Sequence, residues 1–219
     1  MGLDIIAFRK IHGVLDEDME LDEYQEPVDE ENFVGLGATA KWQEETFPGR
    51  GDKLVDAPYN YYTFEDETSM RAGSYWGYHL WKSELKEFSD YLTAGELPVS
   101  VSHHLPYECP ACGYADEPME ETDHGTLQCF DCDLEFLSGG WDYPGAFNEM
   151  IYFYDCEGVI GPETCKKLYN DFADNRFLVE GWAQVYIQDP ETAAWFVEKY
   201  DQWTEMYEYG ADEGAVLFC

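Results

Sequence analysis

Apolar positions recur along this chain with two periods. Between Tyr75 and about Thr93, the residues Tyr78, Trp81, Leu85, Phe88 and Leu92 step by three, four, three and four. That spacing draws one continuous stripe on a helix. Ser74 stands where a cap is needed, and Gly95 and Pro98 end the run. Two later segments open alike, Gly161-Pro162-Glu163 and Asp189-Pro190-Glu191. Each puts proline at the first helical position and an acid at the positive end of the helix dipole. Cys165, Leu168, Tyr169 and Phe172 form the stripe behind the first. Ala193, Phe196, Val197, Tyr200, Trp203 and Tyr207 form the stripe behind the second, with Gly210 closing the helix. Phe147, Met150, Ile151 and Tyr154 give a shorter helical face, broken by Asp155-Cys156-Glu157-Gly158.

The period-two segments are short. Leu3 to Ile11 reads as a strand with apolar residues on both faces, and Tyr59 to Phe64 as an aromatic strand. Val99 to Ser102 is extended, and Ala215 to Phe218 reads as a last strand. Asn32 to Pro58 is rich in Gly and Pro and reads as irregular. Strands near both ends with helices between them predict an α+β fold. The expected architecture is a small mixed sheet packed against about four helices, with the two ends of the sequence neighbours in one sheet.

One segment fits neither period. Cys109-Pro110-Ala111-Cys112 and Cys129-Phe130-Asp131-Cys132 are two C-x2-C pairs, sixteen residues apart. Two such knuckles can place four thiolates around one Zn²⁺, at about 2.3 Å each. No secretory signal pattern precedes Met1-Gly2-Leu3-Asp4, so a reducing compartment is expected and disulfides are disfavoured. A redox pair or free thiols are the other readings. With all four positions filled by protein, the site reads as a closed structural Zn²⁺ site. His103, His104 and His124 lie close in sequence, but four thiolates suffice. The ribbon occupies 106–137, inserted into one discontinuous domain of residues 1–105 and 138–219.

Charge changes the picture further. The 219 residues hold 47 acids and 12 bases, a formal net charge of −35, yet 45 % are hydrophobic and 17 % aromatic, enough for a sizeable core. No apolar run reaches the about 18 residues a bilayer span needs, so no membrane partner is expected. No Lys or Arg occurs between Lys10 and Lys41, or between Lys86 and Lys166. Asp16 to Glu23 is almost purely acidic. Such a surface repels nucleic-acid phosphates and draws basic partners. A plain solvated face and adaptation to high salt are the two competing readings.

The polar turn Asp155-Cys156-Glu157-Gly158 is the candidate site for chemistry. A cysteine at a turn before a helix can act as a nucleophile if a base lies near, and His79 is the candidate base. Arg71, alone among acids, could grip a carboxylate or phosphate. The plainer reading makes Asp155 and Glu157 helix caps, Cys156 a small core residue, and Arg71 an internal partner of Asp155 or Glu157. There is no phosphate-binding glycine loop and no basic aromatic patch.

Several blocks occur in a familiar order: Met1-Gly2-Leu3-Asp4-Ile5; Arg71-Ala72-Gly73-Ser74-Tyr75 with Gly77, Tyr78 and Trp81; Phe153-Tyr154-Asp155-Cys156-Glu157-Gly158-Val159-Ile160-Gly161-Pro162; and Gly214-Ala215-Val216. They resemble a family of small uncharacterised proteins of tailed phages and prophages. The chain differs from that family by the inserted ribbon and by Cys219, where a histidine is expected. The resemblance implies a phage setting, a host cytoplasm and no particular reaction. Charge and setting together point to an acidic binding protein rather than an enzyme. It would engage a basic host protein that handles nucleic acid or serves in defence, in the manner of a DNA mimic. A small hydrolase built on Cys156, Asp155, Glu157, Arg71 and His79 is the alternative, and a virion component a further one.

Overall fold

A computed structural model of the chain describes residues 2–20, 22, 27–28, 32–94, 145–153 and 157–219, and three short strands within 120–137. The elements run β1 (Gly2–Arg9), β2 (His12–Val14), α1 (Leu36–Gln43), α2 (Lys53–Asp56), β3 (Tyr61–Thr63), β4 (Asp66–Ser74) and α3 (Tyr75–Ala94). Then come β5 (Glu120–Glu121), β6 (Thr126–Gln128), β7 (Glu135–Leu137), α4 (Asn148–Ile151), β8 (Gly158–Ile160), α5 (Pro162–Tyr186), α6 (Pro190–Ala211) and β9 (Ala215–Phe218). The α+β class stands. Among the described residues, no helix is long and apolar enough to cross a membrane.

The central sheet has the order β4-β1-β9-β8. Every pair in it is antiparallel, so the expected mixed sheet is corrected. The strands of this sheet are joined by long connections that carry the helices: α5 and α6 lie between β8 and β9, and β9 follows α6 directly and returns beside β1. As expected, segments from both ends of the sequence pair, Ile5 with Phe218 and Phe8 with Ala215.

Alternation along β1 sends Leu3, Ile5 and Ala7 to one face, where they join a large core with α3, α5 and α6. That core is aromatic. Trp203 of α6 stacks on Trp81 of α3 at 5.9 Å, on Phe218 of β9 at 5.7 Å and on Tyr207 at 5.7 Å. The Trp81 indole N–H donates to the Phe196 carbonyl at 3.1 Å, so this ring is buried with its polar atom satisfied. The opposite face carries Phe8, Val159 and Ala215, covered by Leu36, Ala40, Leu54 and Tyr62. A thin layer of α1, α2, β2 and β3 therefore backs part of the sheet.

Local signals explain the helices. The Ser74 hydroxyl accepts from the Gly77 N–H at 3.0 Å, the expected cap of α3. Asp189 caps α6, accepting from Thr192 N at 2.8 Å. The first residue of α5 follows Gly161, which has no side chain. Asp52, from the loop before α2, takes that role across space, accepting from Thr164 N at 2.8 Å and Thr164 Oγ1 at 2.9 Å. Two expectations are corrected. Asn32 to Pro58 contains α1 and α2. Gly210 does not end α6, which continues to Ala211. A Cβ at Gly210 would lie 2.5 Å from the Cys165 sulfur, so glycine is required there for the approach of α5.

The edge strand β8 is closed by a side chain. Gln43 of α1 is fully buried. Its amide donates to the Val159 carbonyl at 2.5 Å and accepts from the Val159 N–H at 2.7 Å, as a neighbouring strand would. Gln43→Ala strands both backbone groups without partners. A loss of about 3 kcal/mol in unfolding free energy is expected by urea titration. A loss under about 1 kcal/mol would mean that this edge does not need the amide.

Candidate functional site

The sheet order decides what becomes of the residues singled out from sequence. Arg71 is on β4, at one edge, paired with Asp4 of β1. Glu157 is exposed and leads into β8, at the other edge. Three strand spacings, about 14 Å, separate those edges, so Arg71 is no partner of Glu157. His79 is half-buried on α3, in the layer behind the opposite face of the sheet from Arg71 and Asp4. The three do not converge on one cleft. Asp155, Cys156 and the four cysteines Cys109, Cys112, Cys129 and Cys132 lie outside the described residues. So do the limits of the ribbon, although β5, β6 and β7 within it form an antiparallel sheet of their own. In that sheet Gln128 pairs with Glu135, and the sequence between them holds Cys129 and Cys132.

What does line up is a row across the sheet. Arg71, Asp4 and Cys219 are consecutive neighbours: Asp4 pairs with Arg71, and Asp4 and Cys219 exchange both backbone hydrogen bonds, at 2.9 and 3.0 Å. All three are exposed, on the part of the face the thin layer leaves open. The row is poor in reactivity. Partial burial pushes the Cys219 thiol up, and the Asp4 charge adds to the rise. Few of these thiols are thiolate near neutral pH.

Two cations escaped the sequence reading. Lys82 and Arg50 are both buried, and both bind the backbone of the α4 segment. Lys82 donates to the Phe153 carbonyl at 2.9 Å, and Arg50 Nε to the Glu149 carbonyl at 3.0 Å. Burial lowers the Arg50 pKa, opposed by the nearby Glu149 and Asp52 charges. Lys82 was hidden because it neighbours Trp81 in a helix read for its apolar stripe alone.

The surface feature with the clearest geometry is on α6. Its buried stripe of Ala193, Phe196, Tyr200, Trp203, Tyr207 and Gly210 fixes which side is outward. On that outer side stand Glu191, Glu198, Asp201, Glu205, Glu208 and the capping Asp212, all exposed. Their spacing is seven, three, four, three and four, so they form one seam parallel to the helix axis. The only base on α6, Lys199, is turned aside to the Arg71 carbonyl at 2.6 Å and the Gln202 amide oxygen at 2.8 Å. Arg176 of α5 reaches one seam member, Asp201, at 2.5 Å. The acids were counted in the sequence, but their three-four spacing, opposite the apolar stripe, is the signal that places them together.

The row across the sheet makes a chemical prediction. Alkylation of Cys219 by iodoacetamide at pH 7.5, followed by peptide mapping, is expected to run several-fold slower than for an unstructured peptide thiol. Asp4→Asn is expected to speed it. Equal rates in all three would show that the thiol does not feel this environment.

No protein-family model matches the chain, and comparison with curated proteins and with solved structures finds no match either.

Proposed function

We propose that the chain is an acidic docking protein that engages a basic protein, one whose own work is to hold nucleic acid. The α6 seam is the observation that carries this reading. From Glu191 to Asp212 the axis advances about 32 Å. Six carboxylates span that length with five gaps of about 6 Å on average, against about one phosphate per 3.4 Å on each DNA strand. A surface with roughly half that density attracts Lys- and Arg-rich grooves while repelling nucleic acid itself. The resemblance to phage and prophage proteins supports a host protein as the target and the host cytoplasm as the place. Four thiolates of Cys109, Cys112, Cys129 and Cys132 would hold one structural Zn²⁺, supported by their spacing and by the β6–β7 pairing on either side of the second pair.

A charge reversal on the seam tests the docking reading. The triple variant Glu191→Lys, Glu198→Lys, Glu208→Lys leaves the buried stripe of α6 untouched. The wild-type chain is expected to retain basic, DNA-binding proteins from host lysate at low salt, and to release them to added duplex DNA and to moderate salt. The variant is expected to retain at least tenfold less. Retention that survives the reversal, or that ignores both salt and duplex, would sink this reading.

The metal has its own test. Purified protein is expected to carry about one zinc per chain by elemental analysis. Cys129→Ser is expected to lose it, with the thermal transition of the rest retained. Metal-free wild-type protein that folds with four alkylatable thiols in 106–137 would refute the site.

A further inference from the structure

The two edges of the central sheet are treated differently. Gln43 closes β8 at Val159, and the Arg50 carbonyl accepts from Gly161 N at 2.8 Å just beyond. Among the described residues, the β4 edge has no such cover. Asp4 spends both backbone groups on Cys219, so its other neighbour Arg71 is in a non-hydrogen-bonded position and turns its N–H and carbonyl away from β1. The antiparallel alternation turns Ser69 and Glu67 outward as well. Lys199 holds the Arg71 carbonyl, and the Asp66 carboxylate takes the Glu67 N–H at 3.0 Å. The outward N–H and carbonyl of Ser69 and the N–H of Arg71 have no partner among the described residues.

Beside this edge α6 runs antiparallel to β4. Lys199 meets Arg71 at one end, and the Tyr209 hydroxyl meets Asp66 at 3.3 Å at the other. Between them is an open groove of about 380 Å³, with Ser69 and Met70 on one wall and Gln202, Glu205 and Met206 on the other.

We propose that this groove takes an extended basic segment of the partner protein as a fifth strand on β4. The inference rests on the acidic docking reading and names how the partner is held. Main-chain hydrogen bonds to Ser69 and Arg71 supply the pairing. Alternate side chains of the added strand face Met70 and Met206, which suits apolar residues. The residues between them suit Lys or Arg toward the Glu67 end, because Glu67 flanks the outer face, Glu205 the rim, and Glu198 and Glu208 the nearby seam, four acids against Arg71 and Lys199 at the other end. An unpaired edge normally carries a blocking device. Here the bond that an α6 side chain makes to its backbone, from Lys199 to the Arg71 carbonyl, leaves the central residue Ser69 open among the described residues.

The probe is an end-capped heptapeptide, Lys-Val-Lys-Val-Lys-Val-Lys, titrated against the intact protein at low salt. Its comparator is the same peptide with every amide N-methylated, which keeps all charges and removes every N–H. The unmodified peptide is expected to bind at least tenfold more tightly, and to slow hydrogen exchange at the Ser69 and Arg71 amides. Ser69→Pro removes the outward N–H without touching the ladder to β1, and is expected to weaken binding at least tenfold. If that variant does not fold, the peptide pair decides alone. Binding of the methylated peptide within about twofold of the parent, or unchanged exchange at Ser69 and Arg71, overturns the strand-docking proposal. If such binding is still abolished by the triple reversal at Glu191, Glu198 and Glu208, the acidic reading survives that failure. No binding by either peptide overturns both.

Discussion

The stack of Trp203 on Trp81, Tyr207 and Phe218 joins α3, α6 and β9, and the surface of the molecule depends on it. A chain of net charge −35 repels itself when compact. Something apolar and densely packed must outweigh that repulsion. Large rings do so efficiently, since each buries far more area than an aliphatic side chain. The cluster extends through Phe88, Phe147, Phe172, Phe196 and Tyr200, most of it fully buried. Because α6 is gripped by rings along one whole side, its other side is free of any packing duty. That side is where the carboxylates stand in line.

The same logic explains the distribution of bases. Twelve cations cannot neutralise 47 acids. Several of the bases are used inside the molecule or between elements. Lys53 bridges to Glu163 beside the start of α5, Lys167 to Glu149 and Asp171, and Arg9 to Asp66 at 3.0 Å. Lys82 and Arg50 hold backbone carbonyls in the interior. Exposed pairs of this kind stabilise little individually. Their effect here is on the field: cations drawn toward joints leave the outer side of α6 acidic, apart from Arg176 at Asp201.

The legible parts of the fold are those whose signals repeat. α3, α5 and α6 show three or more turns of apolar stripe, and two of them open on Pro-Glu, so their starts are read to the residue. β1 and β9 are apolar enough to read as strands. β4 is not, because an edge strand with one open face buries only Ala72 fully; its run Asp66-Glu67-Thr68-Ser69 looks like a loop. β8 is three residues long. α1 hides because its buried side is Leu36, Gly37, Ala40 and Gln43, small or polar, with no stripe to see. Gly37 is there because a Cβ would fall 2.1 Å from the Tyr59 carbonyl oxygen. For the candidate site the missing information was topological. Nothing in the sequence says that β1 and β9 come between β4 and β8, and that order alone parts Arg71 from Glu157.

That order also gives the two edges their opposite characters. β8 is the edge nearest the small layer, so a buried glutamine from α1 can reach it and complete its hydrogen bonds at the cost of one fixed side chain. β4 is flanked on its helical side by α6, whose buried stripe is already committed to the aromatic core. Only the flank residues Lys199, Gln202, Glu205 and Met206 can face β4, and four side chains on a helix cannot satisfy a strand whose free groups recur every two residues. Helix and strand periods do not match, and along this flank a groove is left between them. Here the gap runs beside a line of carboxylates. An extended chain has the period to fill it, and cationic side chains are the ones the neighbouring carboxylates favour.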